Sequence, residues 1–241
     1  MLLMGLLTNI FVIYFLAAVG PAAALMIYIY RKDRIEKEPG GLLLKLIIGG
    51  ACSGILAMVL EMVLGFVLNM IVSPNAVLLY TVLEYFIVVA ASEEFAKYFF
   101  LKRISWRHPA FNFRFDGVVY AVFVSLGFAA LENVMYVVGF GLAVAPVRAL
   151  LAIPAHMSFG VVMGYFYGRA KILEQHYGDM AGAKKTRRFG VLLAVAMHGF
   201  YDTCASLGTD MSGLVFIVFV IVMFVCVFRM VKREARTDEP I

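Results

Sequence analysis

Charge is scarce in this sequence: Asp, Glu, Lys and Arg make up 15% of its 241 residues, against about 25% in soluble globular domains. No polar stretch between the apolar runs is long enough to fold by itself, so a soluble domain is excluded. Cysteine is sparse too. Cys52, Cys204 and Cys226 are odd in number, lie in or beside apolar runs and show no CxxC spacing, which rules out a disulfide framework and a cysteine metal site. There is no HExxH, so the usual helical zinc-peptidase motif is missing. The basic residues are not interleaved with aromatics and sit on no soluble module, so no nucleic-acid partner is expected.

What the chain has in abundance is apolar surface, 63% of residues with a mean hydropathy of +0.91. That composition belongs in a lipid bilayer. Apolar runs of roughly 20 residues, enough to cross a hydrocarbon core of ~30 Å, occur at Leu2 to Tyr30, Leu46 to Val72, Ala76 to Leu101, Gly117 to Ala145, Ala149 to Gly168, Phe189 to Leu207 and Gly213 to Phe228. The predicted fold is therefore all-α, a polytopic transmembrane bundle of about seven helices, with residues 1–241 as one membrane domain. Short junctions at Ser73-Pro74-Asn75 and Pro146-Val147-Arg148 predict two tight antiparallel hairpins, and Pro21 predicts a kink in the first helix. That first run has no positive flank ahead of it and is long for a signal sequence, so it reads as a retained helix. Gly160, Gly164 and Gly168 recur every four residues, a spacing that lets two helices approach closely.

Lysine and arginine set the expected orientation, because short cytoplasmic loops carry their excess. Arg31, Lys32, Arg34 and Lys37 follow the first run, and Lys102, Arg103, Arg107 and Arg114 follow the third. Arg169, Lys171, Lys184, Lys185, Arg187 and Arg188 follow the fifth, with Arg229, Lys232, Arg233 and Arg236 in the tail; Arg148 alone falls on the other side. The N-terminus is expected outside and the C-terminus in the cytoplasm.

Against that apolar background a few polar residues stand out, since each charge at membrane depth costs a few kcal/mol and marks a site by default. Glu93, Glu94 and Lys97 share the third run, where i,i+3 and i,i+4 spacing lets the lysine neutralise either acid. Two adjacent carboxylates cannot easily both ionise in low dielectric, and one held in that state can take a proton from water. Glu132 and Asn133 lie in the fourth run, and His156, two residues after Pro154, in the fifth. His198 and Asp202 lie at i and i+4 in the sixth, so the acid can orient the ring and the ring can donate toward a developing oxyanion. At 1.5 Å per residue, Glu93 and His198 fall roughly 12–14 Å from the cytoplasmic ends of their helices, and His156 and Glu132 roughly 18–22 Å. Those depths suit one intramembrane cavity. Glu61 and Glu84 are further acids, placed outside the catalytic set, either of which could pair with Arg148, line a water path or contact substrate.

If such a cavity cuts peptide bonds, the known chemistries leave different traces. A serine enzyme needs an exposed Ser beside a His base, and Gly50-Ala51-Cys52-Ser53-Gly54 resembles that turn only loosely. An aspartyl enzyme of the membrane type needs a second aspartate motif, for which Gly208-Thr209-Asp210 is a poor substitute. Water activated by a glutamate remains.

Four motifs in order, Glu93-Glu94-x-x-Lys97, Phe128-x-x-x-Glu132-Asn133, His156 and His198-x-x-x-Asp202, resemble those of the PrsW proteases, a branch of the CAAX prenyl endopeptidase and Abi group of membrane glutamic proteases. The resemblance covers roughly Ser92 to Asp202, within a motif-bearing core at about 76–207. The prenyl endopeptidases carry an arginine one residue beyond Lys97, a histidine at Glu132 and an asparagine at Asp202, so these departures point away from a prenylated substrate. The resemblance implies a multi-pass protease of the bacterial cell membrane, with Glu93 or Glu94 as general base. It implies that His198, held by Asp202, stabilises the tetrahedral intermediate, and that His156 is a second oxyanion donor or water ligand. Glu132 would position water or protonate the leaving amine, while Lys97, with Asn133 nearby, tunes the acids.

The implied partner is a single-pass membrane protein, an anti-sigma factor cut on its extracytoplasmic side under envelope stress. A scissile bond there and a base in the cytoplasmic half require a deep outward-open cavity or a bent substrate. No cofactor is the favoured reading, but Glu93, Glu132, His156 and His198 could instead hold a divalent metal such as zinc. Two further classes stay open: a non-catalytic scaffold for single-pass partners, and a proton-coupled transporter, which would favour inverted repeats that the sequence lacks.

Overall fold

The computed structural model describes residues 2–241, with side chains from residue 12 onward. The elements are α1 (Leu2–Lys32), α2 (Gly40–Ile71), α3 (Val77–Leu83), a π-helical turn (Glu84–Ala90), α4 (Ala91–Ser105), α5 (Asp116–Phe140), α6 (Ala145–Leu150), α7 (Ala152–Tyr177), α8 (Met180–Ser206) and α9 (Asp210–Glu234). Because α3, the π turn and α4 run on without a break, they form one rod, and α6 leads into α7 as another, which makes seven rods among the described residues. Among the described residues there is no strand, only an isolated bridge between Phe113 and Pro240.

Among the described residues five stretches are long and apolar enough to cross a membrane: Val12–Lys32, Gly40–Ile71, Asp116–Phe140, Leu142–Tyr177 and Asp210–Glu234. The two rods outside that group, 77–105 and 180–206, carry the Glu93-Glu94-Lys97 and His198-Asp202 pairs. Charge at their centres lowers their hydropathy, yet both lie packed in the bundle. The predicted junction at Pro146 is itself helical, a 3₁₀ turn at Leu142–Val144 leading into α6 with its proline in the first turn, where a missing N–H costs nothing. α1 continues through Pro21. α8 starts nine residues before the predicted run, capped by Asp179, whose carboxylate accepts from Gly182 N.

α5 is the central helix, buried almost continuously from Asp116 to Ala129. Glycine lets its neighbours reach it. A Cβ on Gly164 would lie 2.5 Å from the Gly117 carbonyl oxygen, and one on Gly50 would lie 2.1 Å from that of Val124. Backbone therefore meets backbone where α7 and α2 cross α5, the use expected of the Gly160-Gly164-Gly168 spacing.

The four basic segments gather at one end of the bundle. Trp106 Nε1 donates to Glu174, the Lys171 ammonium donates to the Trp106 carbonyl, Asn112 Nδ2 donates to Glu36, and Arg114 pairs with Glu234. The loops after the first, third and fifth rods and the tail thus share one face, and the α5–α7 turn with Arg148 sits at the other.

Candidate active site

The site is assembled from α4, α5, α7 and α8. On α4, Glu93, Glu94 and Lys97 are buried, at 6%, 0% and 1% exposure. The Lys97 ammonium donates to Glu93 Oε2 (2.9 Å) and Glu94 Oε1 (2.7 Å), as helical spacing requires. It also donates to His156 Nδ1 on α7 (3.2 Å) and lies 3.9 Å from the centre of the Phe128 ring on α5. Phe128 thus gives the ammonium an aromatic wall. Three elements close around one cation.

With His156 Nδ1 accepting from Lys97, its other nitrogen carries the proton. Nε2 donates to Glu132 Oε2 (2.9 Å), and the Arg148 guanidinium reaches the same oxygen at 2.8 Å. Arg148 Nε also donates to Asn133 Oδ1 (2.8 Å), while Asn133 Nδ2 donates to the Ala18 carbonyl on α1 (2.7 Å). Glu132 and Asn133 are therefore held by α6 and α1 together. Arg148 was set apart in the sequence as the one basic residue on its side, and the structure makes Glu132, rather than Glu61 or Glu84, its partner.

His198 lies stacked 4.7 Å from Phe159, between two acids. Its Nδ1 donates to Glu94 Oε1 (3.0 Å), and its Nε2 stands 3.1 Å from Asp202 Oδ2. The structure thus brings together all eight residues singled out in the sequence: Glu93, Glu94, Lys97, Glu132, Asn133, His156, His198 and Asp202. α8 reaches this position because Gly199, next to His198, packs against Phe86 of the π turn, where a Cβ would lie 2.6 Å from the ring. A π turn beside a functional cluster is a recurrent arrangement.

A cavity of about 570 Å³ opens onto this cluster. Glu93, Glu132, His156, His198 and Asp202 line it; Glu94 and Lys97 do not. The adjacent acids are thereby distinguished, Glu93 facing the cavity and Glu94 enclosed behind it. Glu61 on α2 lines the same space, a residue the sequence reading left outside the site. The rim includes Val147, Arg148 and Ser206, so the cavity reaches from Glu93 to the end of the bundle opposite the basic loops. Ser53, in the stretch loosely resembling a serine-nucleophile turn, is buried in α2 with its hydroxyl bonded to the Gly50 carbonyl.

The model of a family described as PrsW family intramembrane metalloprotease matches residues 38–230. The chain belongs to the PrsW family. Relatives named Protease PrsW align over most of it: one from Halalkalibacterium halodurans is 32% identical over 92% of this chain and 97% of its own. Another, from Geobacillus kaustophilus, is 34% identical over 93% of each chain, and one from Bacillus subtilis is 33% identical over 77% of this chain and 79% of its own. No solved structure matches. This PrsW-family chain is thus an intramembrane protease and a multi-pass membrane protein.

The family's description as a metalloprotease can be weighed against the donors present. One ligand atom from each of Glu93, Glu94, His156 and His198 lies within 4.8 Å of all the others, and Glu94 Oε2 is buried without a hydrogen-bond partner. Two imidazoles and two carboxylates suit a divalent ion such as zinc, so the residues fit one. Glu132, expected among such ligands, stands instead on the far side of the His156 ring, drawn there by Arg148, and Glu94 is the fourth donor. The Lys97 ammonium reaches three of these four side chains, so it and a metal ion compete for one position.

Proposed function

We propose that this PrsW-family protease hydrolyses a peptide bond of a single-pass membrane protein with water activated by Glu93. The observation that carries this reading is the split between the paired acids: Glu93 lines the cavity, whereas Glu94 is enclosed against Lys97 and His198. Glu93 takes a proton from water and the hydroxyl attacks the scissile carbonyl. Negative charge develops on the carbonyl oxygen beside His198, and the N–H that Nε2 directs at Asp202 (3.1 Å) is shared with that oxygen, which lowers the barrier. When the C–N bond breaks, the leaving amine takes the proton back from Glu93. Lys97 balances the acids throughout, and Glu132, fixed by Arg148 and His156, lines the path to the departing amine.

The second reading is a metal mechanism, favoured by the convergence of four donors. Glu93, Glu94, His156 and His198 would hold the ion, which when bound supplies Lewis-acid activation of water and carbonyl. Even then, Asp202 orients His198, and Arg148 orients Glu132.

The side on which the substrate is cut is supported by the cavity's opening away from the basic loops. With those loops in the cytoplasm, as in a bacterial plasma membrane, the cavity opens outward, which suits extracytoplasmic cleavage of an anti-sigma factor. It also reconciles a base in the inner half of the bundle with an outer scissile bond. The test is cleavage of a reconstituted single-pass anti-sigma substrate by purified protein, with and without a strong chelator. Chelator-resistant cleavage supports glutamate chemistry. Cleavage lost to chelator and restored by zinc transfers the site to the metal reading.

A further inference from the structure

A second cavity, of about 630 Å³, lies between α4, α7 and α8 at the end of the bundle that carries the basic loops. It shares no residue with the active site. Lys102, Arg103, Arg107 and Arg187 bring four cations to its wall, and Glu174 is the one acid among its lining residues. That acid is already engaged: Oε1 accepts from Trp106 Nε1 at 3.1 Å, and Oε2 lies 3.4 Å from Arg187 Nη1. Lys102, Arg103 and Arg107 form no ion pair among the described residues.

Arg187 is the unusual member. It is nine-tenths buried, its guanidinium lies 3.9 Å from the centre of the Trp106 ring, and its Nε has no hydrogen-bond partner. A buried guanidinium with a vacant donor is costly, and stacking on the indole fixes its plane. An oxyanion with several acceptors relieves that cost, and the rigid fork of arginine matches phosphate geometry. Alongside the cations, Phe99 and Met180 give the cavity an apolar edge, and both are exposed on the bundle surface. Basic pockets between helices at the end of a membrane bundle take anionic headgroups in this manner.

We infer that this cavity binds a phosphate group, that of an anionic phospholipid headgroup whose chains lie against Phe99, or of a free phosphate compound. Because α4 carries Glu93 and Glu94 and α8 carries His198, a ligand bridging Arg103 and Arg187 ties together two of the active-site rods.

The experiment uses the full chain, delipidated in neutral detergent. Thermal unfolding is followed while phosphatidylglycerol, phosphatidylcholine or inorganic phosphate is added. The expected result is a saturable rise in the unfolding midpoint with phosphatidylglycerol and none with phosphatidylcholine. R103Q/R107Q changes two exposed side chains and weakens apparent affinity about tenfold or more. K184Q/K185Q removes the same charge elsewhere on the basic face and leaves affinity unchanged. R187Q abolishes the effect if it folds; R103Q/R107Q carries the test if it does not. A saturable effect with inorganic phosphate, equally lost in R103Q/R107Q, supports the site with a soluble ligand. An unsaturable response, or equal weakening by K184Q/K185Q, overturns the proposal, because surface charge alone then explains it.

Discussion

Glu93→Gln and Glu94→Gln are isosteric changes one residue apart, and the structure requires them to fail differently. Removing a general base costs about 10²–10⁴ in rate, or roughly 3–5 kcal/mol of barrier. Glu93 faces the cavity, and in its absence Lys97 keeps Glu94 at 2.7 Å and His156 at 3.2 Å. Glu93→Gln should therefore lose cleavage by that factor while the fold survives. Glu94 is fully enclosed and accepts from both Lys97 and His198. Removing one partner from a buried charge network costs about 3–5 kcal/mol, a lowering of the thermal midpoint on the order of ten degrees in a chain of this size. Single-turnover cleavage in liposomes, paired with thermal unfolding of the same preparations, separates the two effects. If Glu93→Gln cleaves at the wild-type rate, or if Glu94→Gln is inactive yet as stable as the wild type, the roles assigned to these acids are wrong.

Arg148→Met leaves Glu132 paired with His156 alone and takes the donor from Asn133 Oδ1, so cleavage should fall by about tenfold or more with expression retained. Kinetics of the variant indistinguishable from wild type would show that Arg148 does not position Glu132. Asp33, outside the membrane spans, has its carboxyl pushed up to about 6 chiefly by burial, with Lys37 opposing. Between the ordinary carboxylate range and about 6 the folded state keeps a proton the unfolded chain has lost, so stability falls as pH rises through that window. Asp33→Asn should raise the unfolding midpoint at pH 7 and flatten its pH dependence between about 4 and 6; equal slopes for variant and wild type would exclude this. Gly164→Leu drives a side chain into the Gly117 backbone, and folded yield in detergent should collapse. Recovery of normal yield and midpoint would mean that α5 and α7 do not cross there.

How much of this site is legible in one dimension depends on the range of the interaction. The pairing of Lys97 with Glu93 and Glu94 follows from three- and four-residue spacing on one helix, and that of His198 with Asp202 likewise. Arg148 shows the opposite case. Its isolation on one side of the membrane was visible, but Glu132 is sixteen residues away, across the 3₁₀ turn that leads into α6. Phe128 stood in a motif without an evident task until α5 brought its ring beneath the Lys97 ammonium.

By itself the sequence determined the membrane class, the seven rods and the identity of the polar residues, because hydrophobicity over twenty residues and helical periodicity are local properties of the chain. Which acid faces the cavity, where that cavity opens and which four donors converge were decided only in the tertiary structure. Those outcomes depend on the rotation of α4 after the π turn and on the close approach of α2, α7 and α8 to their neighbours through glycine. Rotation and approach are settled by packing between segments far apart in the chain, on which spacing within any one segment has no purchase.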